Sequence, residues 1–127
     1  MNHTVAVVAS GIGSLLLLSA CGGASESSSL TVVDDAAVTV RALEGIQWDS
    51  RSYAAPAGTV RIVLENESSL PHNLVVVDEQ NTQLPPVLDA PSRNDTDEDS
   101  FSLQAGTYTL LCRIPGHANM NARLDVE

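Results

Sequence analysis

The segment "GTYTLLCRIPGHANM", residues 106–120, brings a cysteine, a histidine and a methionine into one short stretch of a chain that is poor in all three. The whole sequence of 127 residues contains two cysteines, three histidines and two methionines. The apolar run that ends at Cys112 is typical of a strand, and Pro115-Gly116 is typical of a turn. Because this turn brings the chain back, we expect Cys112, His117 and Met120 to lie close together.

His72 is the remaining candidate ligand, and it begins the apolar segment "HNLVVVD". With Cys112, His117 and Met120 it completes the histidines, cysteines and methionines found beyond the first 21 residues. Two imidazoles, one thiolate and a weak axial thioether are the donors of a trigonal copper electron-transfer site, whereas zinc gains little from a thioether. Taken singly, His72 also fits an ordinary strand-edge residue, Cys112 a buried core thiol and Met120 core packing. Their combination and order favour a copper site.

Other segments are rich in Val, Thr, Ile, Leu and Tyr and are separated by Gly, Pro, Asn and Asp, which favours strands joined by turns. "TVRIVLE" alternates apolar and polar residues, so one of its faces is buried, whereas "NLVVV" is apolar on both faces and belongs in the middle of a sheet. No segment has a long helical pattern, so the many short strands favour an all-β sandwich or barrel. The predicted strands are 30–33, 37–43, 59–66, 72–78, 100–104, 106–112 and 122–126. Turns are predicted at 56–58, 65–69, 84–86, 104–106 and 115–116, and irregular structure at 44–55 and 88–100.

Residues 1–20 are interpreted as a signal peptide of the lipoprotein type. The uncharged run "VAVVASGIGSLLLL" at 5–18 is shorter than the roughly 20 residues of a membrane span. It fits the apolar part of a secretory signal. The preceding residues "MNHT" lack the Lys or Arg that usually begins such a signal. "LSAC" at 18–21 resembles a bacterial lipobox, in which Cys21 becomes the lipidated first residue. The alternatives are a buried N-terminal helix for the run, or an ordinary signal followed by a free or paired cysteine.

Residues 21–29 accordingly comprise the lipidated Cys21 and the flexible linker "GGASESSS", and residues 30–127 form one domain. The net charge is −10 and all six basic residues are Arg, which disfavours nucleic acid as a partner and permits a basic protein. The acidic run "NDTDEDS" at 94–100 is interpreted as a solvated loop, with a docking patch as the alternative. The triplet Asn66-Glu67-Ser68 fits a glycosylation acceptor, a pattern that is common by chance.

The residues from His72 to Met120 together resemble the cupredoxin family, which includes plastocyanin, azurin, amicyanin and halocyanin. Its members pair a His-Asn at a strand start with a Gly-x-Tyr strand that leads into a loop with Cys, Pro-Gly, His and Met, as in "HNLVVV" and "GTYTLLCRIPGHANM" here. "APAGTVRIVLEN" at 55–66 is similar to a further strand of the family and the Asn that follows it. The resemblance spans residues 37–127 and implies a two-sheet Greek-key β-sandwich.

The resemblance also implies one type 1 copper ion, with His72, Cys112 and His117 as equatorial ligands and Met120 as the axial ligand. Asn73 matches the residue that ties the ligand loop to the neighbouring strand and so holds the ligands in position. The gap of four residues from Cys112 to His117 is that of azurin, whereas the gap of two from His117 to Met120 is that of amicyanin. This combination departs from the more common family pattern at Met120.

The expected function is a membrane-tethered, extracytoplasmic type 1 copper electron carrier on the periplasmic or outer face, and not an enzyme. We expect a monomer that is held at the membrane by its lipid and exchanges electrons with redox protein partners, such as a basic cytochrome or an oxidase domain. A copper storage or delivery protein of the cell envelope is the alternative, although such sites are typically richer in His and Met. A binuclear copper domain needs a second cysteine where Tyr108 or Gly116 stands, and a metal-free binding module does not need the full ligand set.

Overall fold

The computed structural model describes residues 36–127, and this part of the chain is built from strands without a helix. The strands are β1 (Ala36–Leu43), β2 (Gln47–Trp48), β3 (Ser52–Ala55), β4 (Gly58–Asn66), β5 (His72–Val77), β6 (Gln83–Ala90), β7 (Thr96–Leu103), β8 (Gly106–Leu111) and β9 (Asn121–Val126). The predicted signal peptide, Cys21 with its linker, and the strand at 30–33 lie outside the described residues. Within residues 36–127 no helix is long and apolar enough to cross a membrane.

The strands form two sheets, one of four strands in the order β2-β1-β4-β7 and one of five in the order β3-β9-β8-β5-β6. Both sheets are mixed, because β1 runs parallel to β4 and β3 runs parallel to β9, whereas the other neighbours are antiparallel. The predicted all-β, two-sheet sandwich is therefore confirmed. As expected from its apolar sequence, β5 is paired on both sides, with β8 and with β6.

Alternating side chains of the two sheets face each other and make one apolar core. In β4, Val60, Ile62 and Leu64 are fully buried, while Arg61 between them is exposed. Burying such side chains is the main favourable contribution to folding, at about 25 cal/mol for each Å² of apolar surface removed from water. The core residues opposite, on the five-stranded sheet, are Ala55, Leu74, Val76, Leu88, Ala90, Leu110, Ala122, Leu124 and Val126.

The turn predicted at 84–86 is wrong, because these residues belong to β6. This strand lies at the edge of the five-stranded sheet, and the register of its pairing with β5 shifts between Leu74 and Val76. Pro85 and Pro86 fall in that irregular part. Proline has no N–H to give to a ladder and is therefore tolerated at edges and bulges, so two adjacent prolines did not prevent a strand here.

The acidic run at 94–100 is not a loop either, because residues 96–100 lie in β7, the edge strand beside β4. Its side chains are solvated as expected, and Glu98 forms an exposed ion pair of 2.7 Å with Arg61. Asp97 lies opposite Leu64 on the face that turns toward the other sheet. Its carboxylate accepts a hydrogen bond of 2.9 Å from the backbone N–H of Asp89 in β6. The strand is thus stabilised by neighbours that the local sequence does not show.

The segment predicted as irregular, residues 44–55, contains the short strands β2 and β3. Trp48 in β2 is 7% exposed and contributes to the core. Its ring lies beside that of His72, with centroids 6.3 Å apart. His72 begins β5, Cys112 follows the end of β8, and Met120 precedes β9. The candidate ligands therefore lie at one end of the sandwich.

Candidate metal centre

Three predicted ligands converge at this end of the sandwich. One ligand atom each from His72, Cys112 and His117 lie within 4.8 Å of one another. The Cys112 Sγ atom is 3.5 Å from His117 Nδ1, and the two imidazole centroids are 4.9 Å apart. The three residues are only 1%, 6% and 6% exposed. The sequence places His72 forty residues before Cys112, and pairing of β5 with β8 brings the two together.

The loop between β8 and β9, residues 112–120, is folded by two consecutive turns. Ile114 and His117 close the first turn, with a hydrogen bond of 3.0 Å from the His117 N–H to the Ile114 carbonyl. Pro115 and Gly116 occupy its centre, and Gly116 has a φ of +89°, which a type II turn requires at that position and which glycine adopts without strain. The expected return of the chain at Pro-Gly is confirmed, and His117 comes back beside Cys112.

Met120 ends this loop and is buried, at 1% exposed. Its N–H donates to the His117 carbonyl at 2.9 Å, and its own carbonyl accepts from the Cys112 N–H at 3.1 Å. The backbone thus clasps the start and end of the loop together. The axial role of the Met120 sulfur stays a prediction.

Asn73 connects the loop to the neighbouring strand. Its Oδ1 atom accepts a hydrogen bond of 2.8 Å from the N–H of Arg113, the residue after Cys112. Since Asn73 follows His72 directly, this bond fixes the two ligand-bearing segments relative to each other. The contact agrees with the role that the family resemblance implies for Asn73.

His72 is held through one ring nitrogen only. Its Nε2 atom lies 2.7 Å from the Ser68 hydroxyl, while Nδ1 is buried and has no hydrogen-bond partner among the described residues. Burial lowers the pKa of His72, the nearby His117 lowers it further, and Glu44 opposes both effects. A neutral imidazole with a bare nitrogen is therefore favoured, and a metal ligand must be in that form.

The donor set fits a copper ion of type 1. A thiolate and two imidazoles at these positions provide the soft and borderline donors of a trigonal site. The buried Nδ1 atom of His72 has no hydrogen-bond partner within residues 36–127. An unpaired polar atom away from water costs about 1–3 kcal/mol, and a metal ion bound to Nδ1 would remove that cost. The residues that would hold the ion are His72, Cys112 and His117, with Met120 as the predicted fourth.

Sequence reasoning missed the role of Asn66, the last residue of β4, and of Ser68 in the loop that follows it. The sequence marks Asn66 as the Asn that ends the family-like segment "APAGTVRIVLEN", and it marks both residues as a glycosylation triplet, but neither pattern predicts a contact with His72. Both residues are 1% exposed, so the Asn66 amide is inaccessible in the folded domain. Asn and Ser side chains in a turn commonly form hydrogen bonds with the local backbone. This tendency predicts a structured turn at residues 66–68, but it does not predict the bond to His72.

Comparison with solved structures finds related folds. Auracyanin A, a "blue" copper protein from the green thermophilic photosynthetic bacterium Chloroflexus aurantiacus, superposes with a TM-score of 0.65 at 22% identity, over 74% of this chain and 100% of that one. The chain has the cupredoxin fold. An azurin from the methylotroph Methylomonas sp. strain J gives a TM-score of 0.59 at 19% identity, over 74% of this chain and 99% of that one. A reduced Cu(I) form of an amicyanin mutant gives 0.53 at 22% identity, over 75% of this chain and 86% of that one.

No protein-family model matches the sequence, and comparison with curated proteins gives no match. The cupredoxin fold of this chain is therefore recognised from its three-dimensional structure together with the resemblance of its ligand segments.

The lowered pKa of His72 predicts a pH dependence of stability in the metal-free protein. Between that lowered pKa and the ordinary value of about 6.5, the unfolded chain binds a proton that the folded domain does not. The free energy of unfolding should consequently fall as the pH drops below about 6.5, by at most about 1.4 kcal/mol per pH unit. Urea titrations between neutral and mildly acidic pH measure this slope. His72→Gln should flatten it, and equal slopes in the two proteins would contradict the assignment.

Proposed function

We propose that this protein is a type 1 copper electron-transfer protein, tethered at the extracytoplasmic face of a membrane. The observation that carries the proposal is the convergence of His72, Cys112 and His117 within 4.8 Å at one end of a cupredoxin fold. Copper and electron transfer are supported by the donor chemistry of these side chains and by auracyanin A, which is described as a blue copper protein. The bound ion supplies one-electron chemistry by alternating between Cu(II) and Cu(I).

The residues of this chain would serve that chemistry by keeping one geometry in both oxidation states. The Cys112–Met120 backbone bond closes the ligand loop, and the Asn73–Arg113 bond ties it to β5. His72, Cys112 and His117 are almost completely buried, so water has little access to the donor atoms. A site that is held rigid and dry needs little reorganisation when its charge changes, since fixed protein groups rather than mobile water surround the charge.

His117 is the proposed point of electron exit. It is 6% exposed, compared with 1% for His72, and its neighbours Gly116 and Ala118 are exposed. His72 is enclosed by Trp48 and the loop between β4 and β5. Of the two imidazoles, that of His117 therefore offers the shorter route from the donor set to the surface and to a redox partner.

The second candidate function is copper storage or delivery in the cell envelope. Such a role needs ready exchange of the ion, and the buried, clasped loop disfavours exchange. The described residues also hold no His, Cys or Met beyond His72, Cys112, His117 and Met120. Retention of copper against a mild chelator would favour the electron carrier, and rapid loss would favour delivery.

The first test concerns the thiolate of Cys112. The protein loaded with Cu(II) should show an intense visible band, because a copper–thiolate bond is the defining feature of a His₂Cys site. Cys112→Ser should abolish that band in absorption spectra. Cys21→Ser is the matched control, because it replaces the other cysteine of the chain and leaves Cys112 in place. A band that persists in Cys112→Ser would refute the site.

The second test concerns the tether, which is supported by "LSAC" at 18–21 and the linker that follows. The full-length protein should sediment with membranes, and Cys21→Ser should either release it or block its processing. A single lipid chain gives only marginal membrane binding, and two chains give stable anchoring. Fractionation followed by immunoblotting measures the distribution. An unchanged membrane fraction for Cys21→Ser would exclude the lipid anchor.

The third test concerns Met120 as a weak axial donor. Met120→Leu removes the sulfur but keeps volume and apolar character, so the fold should survive. Loss of the donor favours Cu(I) and should raise the reduction potential, whereas Met120→Gln supplies a harder oxygen donor and should lower it. Each tenfold change in relative affinity corresponds to about 60 mV for one electron. Cyclic voltammetry measures the shifts. Unchanged potentials in both variants would show that Met120 is not a ligand.

A further inference from the structure

The loop between β4 and β5 contains a chain of buried hydrogen bonds that ends on His72. Ser68 Oγ lies 2.7 Å from His72 Nε2. The same hydroxyl lies 3.0 Å from Asn66 Oδ1 and 3.2 Å from the Leu70 carbonyl, and it accepts from the Leu70 N–H at 3.2 Å. Asn66, Ser68 and His72 are each 1% exposed. Water therefore does not compete for these bonds.

The orientation of the Asn66 amide is determined by its neighbours. Its Nδ2 atom donates to the carbonyls of Leu70 and Ala90, at 2.7 and 2.9 Å. Since carbonyl oxygens only accept, the amide nitrogen must face them, and Oδ1 must face Ser68. Oδ1 then accepts from the Ser68 N–H at 2.8 Å as well as from its hydroxyl. Ala90 in β6 is also the residue that pairs with His72 in β5. Its bond to Asn66 therefore connects the end of β4 to β6 directly beside His72.

Proton counting around the Ser68 hydroxyl favours one tautomer of His72. The hydroxyl has one proton, and the oxygens of Asn66 and Leu70 next to it can only accept. A hydroxyl that donated to His72 Nε2 would leave both of these oxygens facing Oγ with no proton between them. Donation to one of the oxygens leaves the lone pairs of Oγ for the Leu70 N–H and for His72 Nε2. Nε2 must then carry a proton, and the neutral ring leaves a bare lone pair on Nδ1. Nδ1 is the ring atom that has no hydrogen-bond partner in the described part of the chain.

We propose that Asn66 and Ser68 form a positioning relay that selects the Nε2–H tautomer of His72 and so presents Nδ1 as its donor atom. The tautomer assignment stands on the hydrogen bonds of the chain alone. The effect on copper rests on the proposed function. The sequence triplet Asn66-Glu67-Ser68 thereby has a structural role in the folded domain, because both Nδ2 protons of Asn66 are engaged in hydrogen bonds.

Further hydrogen bonds on both sides of the loop hold the backbone of Asn66 and Ser69 in place. The backbone N–H of Asn66 donates to the Asp95 carbonyl at 2.9 Å, and its carbonyl accepts from the Asn94 N–H at 2.6 Å. On the outer side, Glu44 accepts from the backbone N–H of Ser69 and is paired with Arg93. These contacts fix the backbone that carries Ser68, so its hydroxyl has little freedom to leave the imidazole.

The metal-free protein provides the first test. Long-range ¹H–¹⁵N NMR distinguishes the two neutral imidazole tautomers, and His72→Gln identifies the His72 signals by their loss. The wild type should show His72 as the Nε2–H tautomer at neutral pH. Ser68→Ala should give a mixture, whereas Ser68→Thr keeps the hydroxyl and should retain the single tautomer. Ser69→Ala is the matched control, since this adjacent exposed hydroxyl bonds Glu44 and not the ring.

Copper affinity provides the second test. Loss of a bond that orients a metal-binding histidine typically weakens metal affinity by about 10-fold to 100-fold. Competition with a chelator should show a decrease of that size for Ser68→Ala, and affinities within about twofold of the wild type for Ser68→Thr and Ser69→Ala.

The possible results distinguish failure of the Asn66–Ser68 relay from failure of the proposed copper function. A wild type in which His72 is the Nδ1–H tautomer, or a Ser68→Ala variant with an unchanged tautomer and affinity, would overturn the relay. A wild-type protein that has the Nε2–H tautomer but shows no intense visible band with Cu(II) would overturn the proposed function and leave the relay standing. The wild-type NMR result decides the tautomer even if Ser68→Ala does not fold.

Discussion

The end of the sandwich is organised around a buried nitrogen that has no hydrogen-bond partner among the described residues, Nδ1 of His72. Leaving such an atom unpaired away from water costs about 1–3 kcal/mol, so the ring would turn or move toward solvent if nothing held it. Ser68 holds the opposite nitrogen, and Trp48 lies against the ring. The fold therefore maintains an unsatisfied donor atom beside Cys112 and His117, which is the arrangement expected of a site prepared for a metal.

This arrangement depends on how the strands meet. β5 starts at His72 and β8 ends just before Cys112, and these antiparallel neighbours place the two residues at the same end of one sheet. The backbone bond between Cys112 and Met120 then closes the loop that contains His117. The strands β4, β5, β8 and β9, with the loops that join β4 to β5 and β8 to β9, must be in place before His72, Cys112 and His117 converge. Metal binding would in turn stabilise the folded state, because it requires ligands from distant parts of the chain.

The sequence was most informative where local pattern and tertiary role agree. In β4 the alternation of Val60, Ile62 and Leu64 with polar residues predicts the buried face directly, and "NLVVV" predicts a strand paired on both sides. The ligand loop was predictable because Pro-Gly turns and metal donors are both local signals. Asn66 and Ser68 were not recognised, because their function depends on bonds to Ala90 and His72 that only the folded chain brings within reach.

The two edge strands β6 and β7 show why the remaining fold was missed. Both carry residues that disfavour pairing, with prolines in one and acidic side chains in the other. An exposed edge presents unpaired N–H and C=O groups that can template aggregation, and proline or inward-facing charge blocks this. Asp97 fits that role, since it lies on the inward face of β7 and binds the Asp89 N–H of β6. Protection of the edge is thus a role of the acidic run that the structure supports, through the inward position of Asp97 and its bond to β6. Its use as a docking patch stays a prediction, because the outward side chains such as Glu98 are exposed on the opposite face of the same strand.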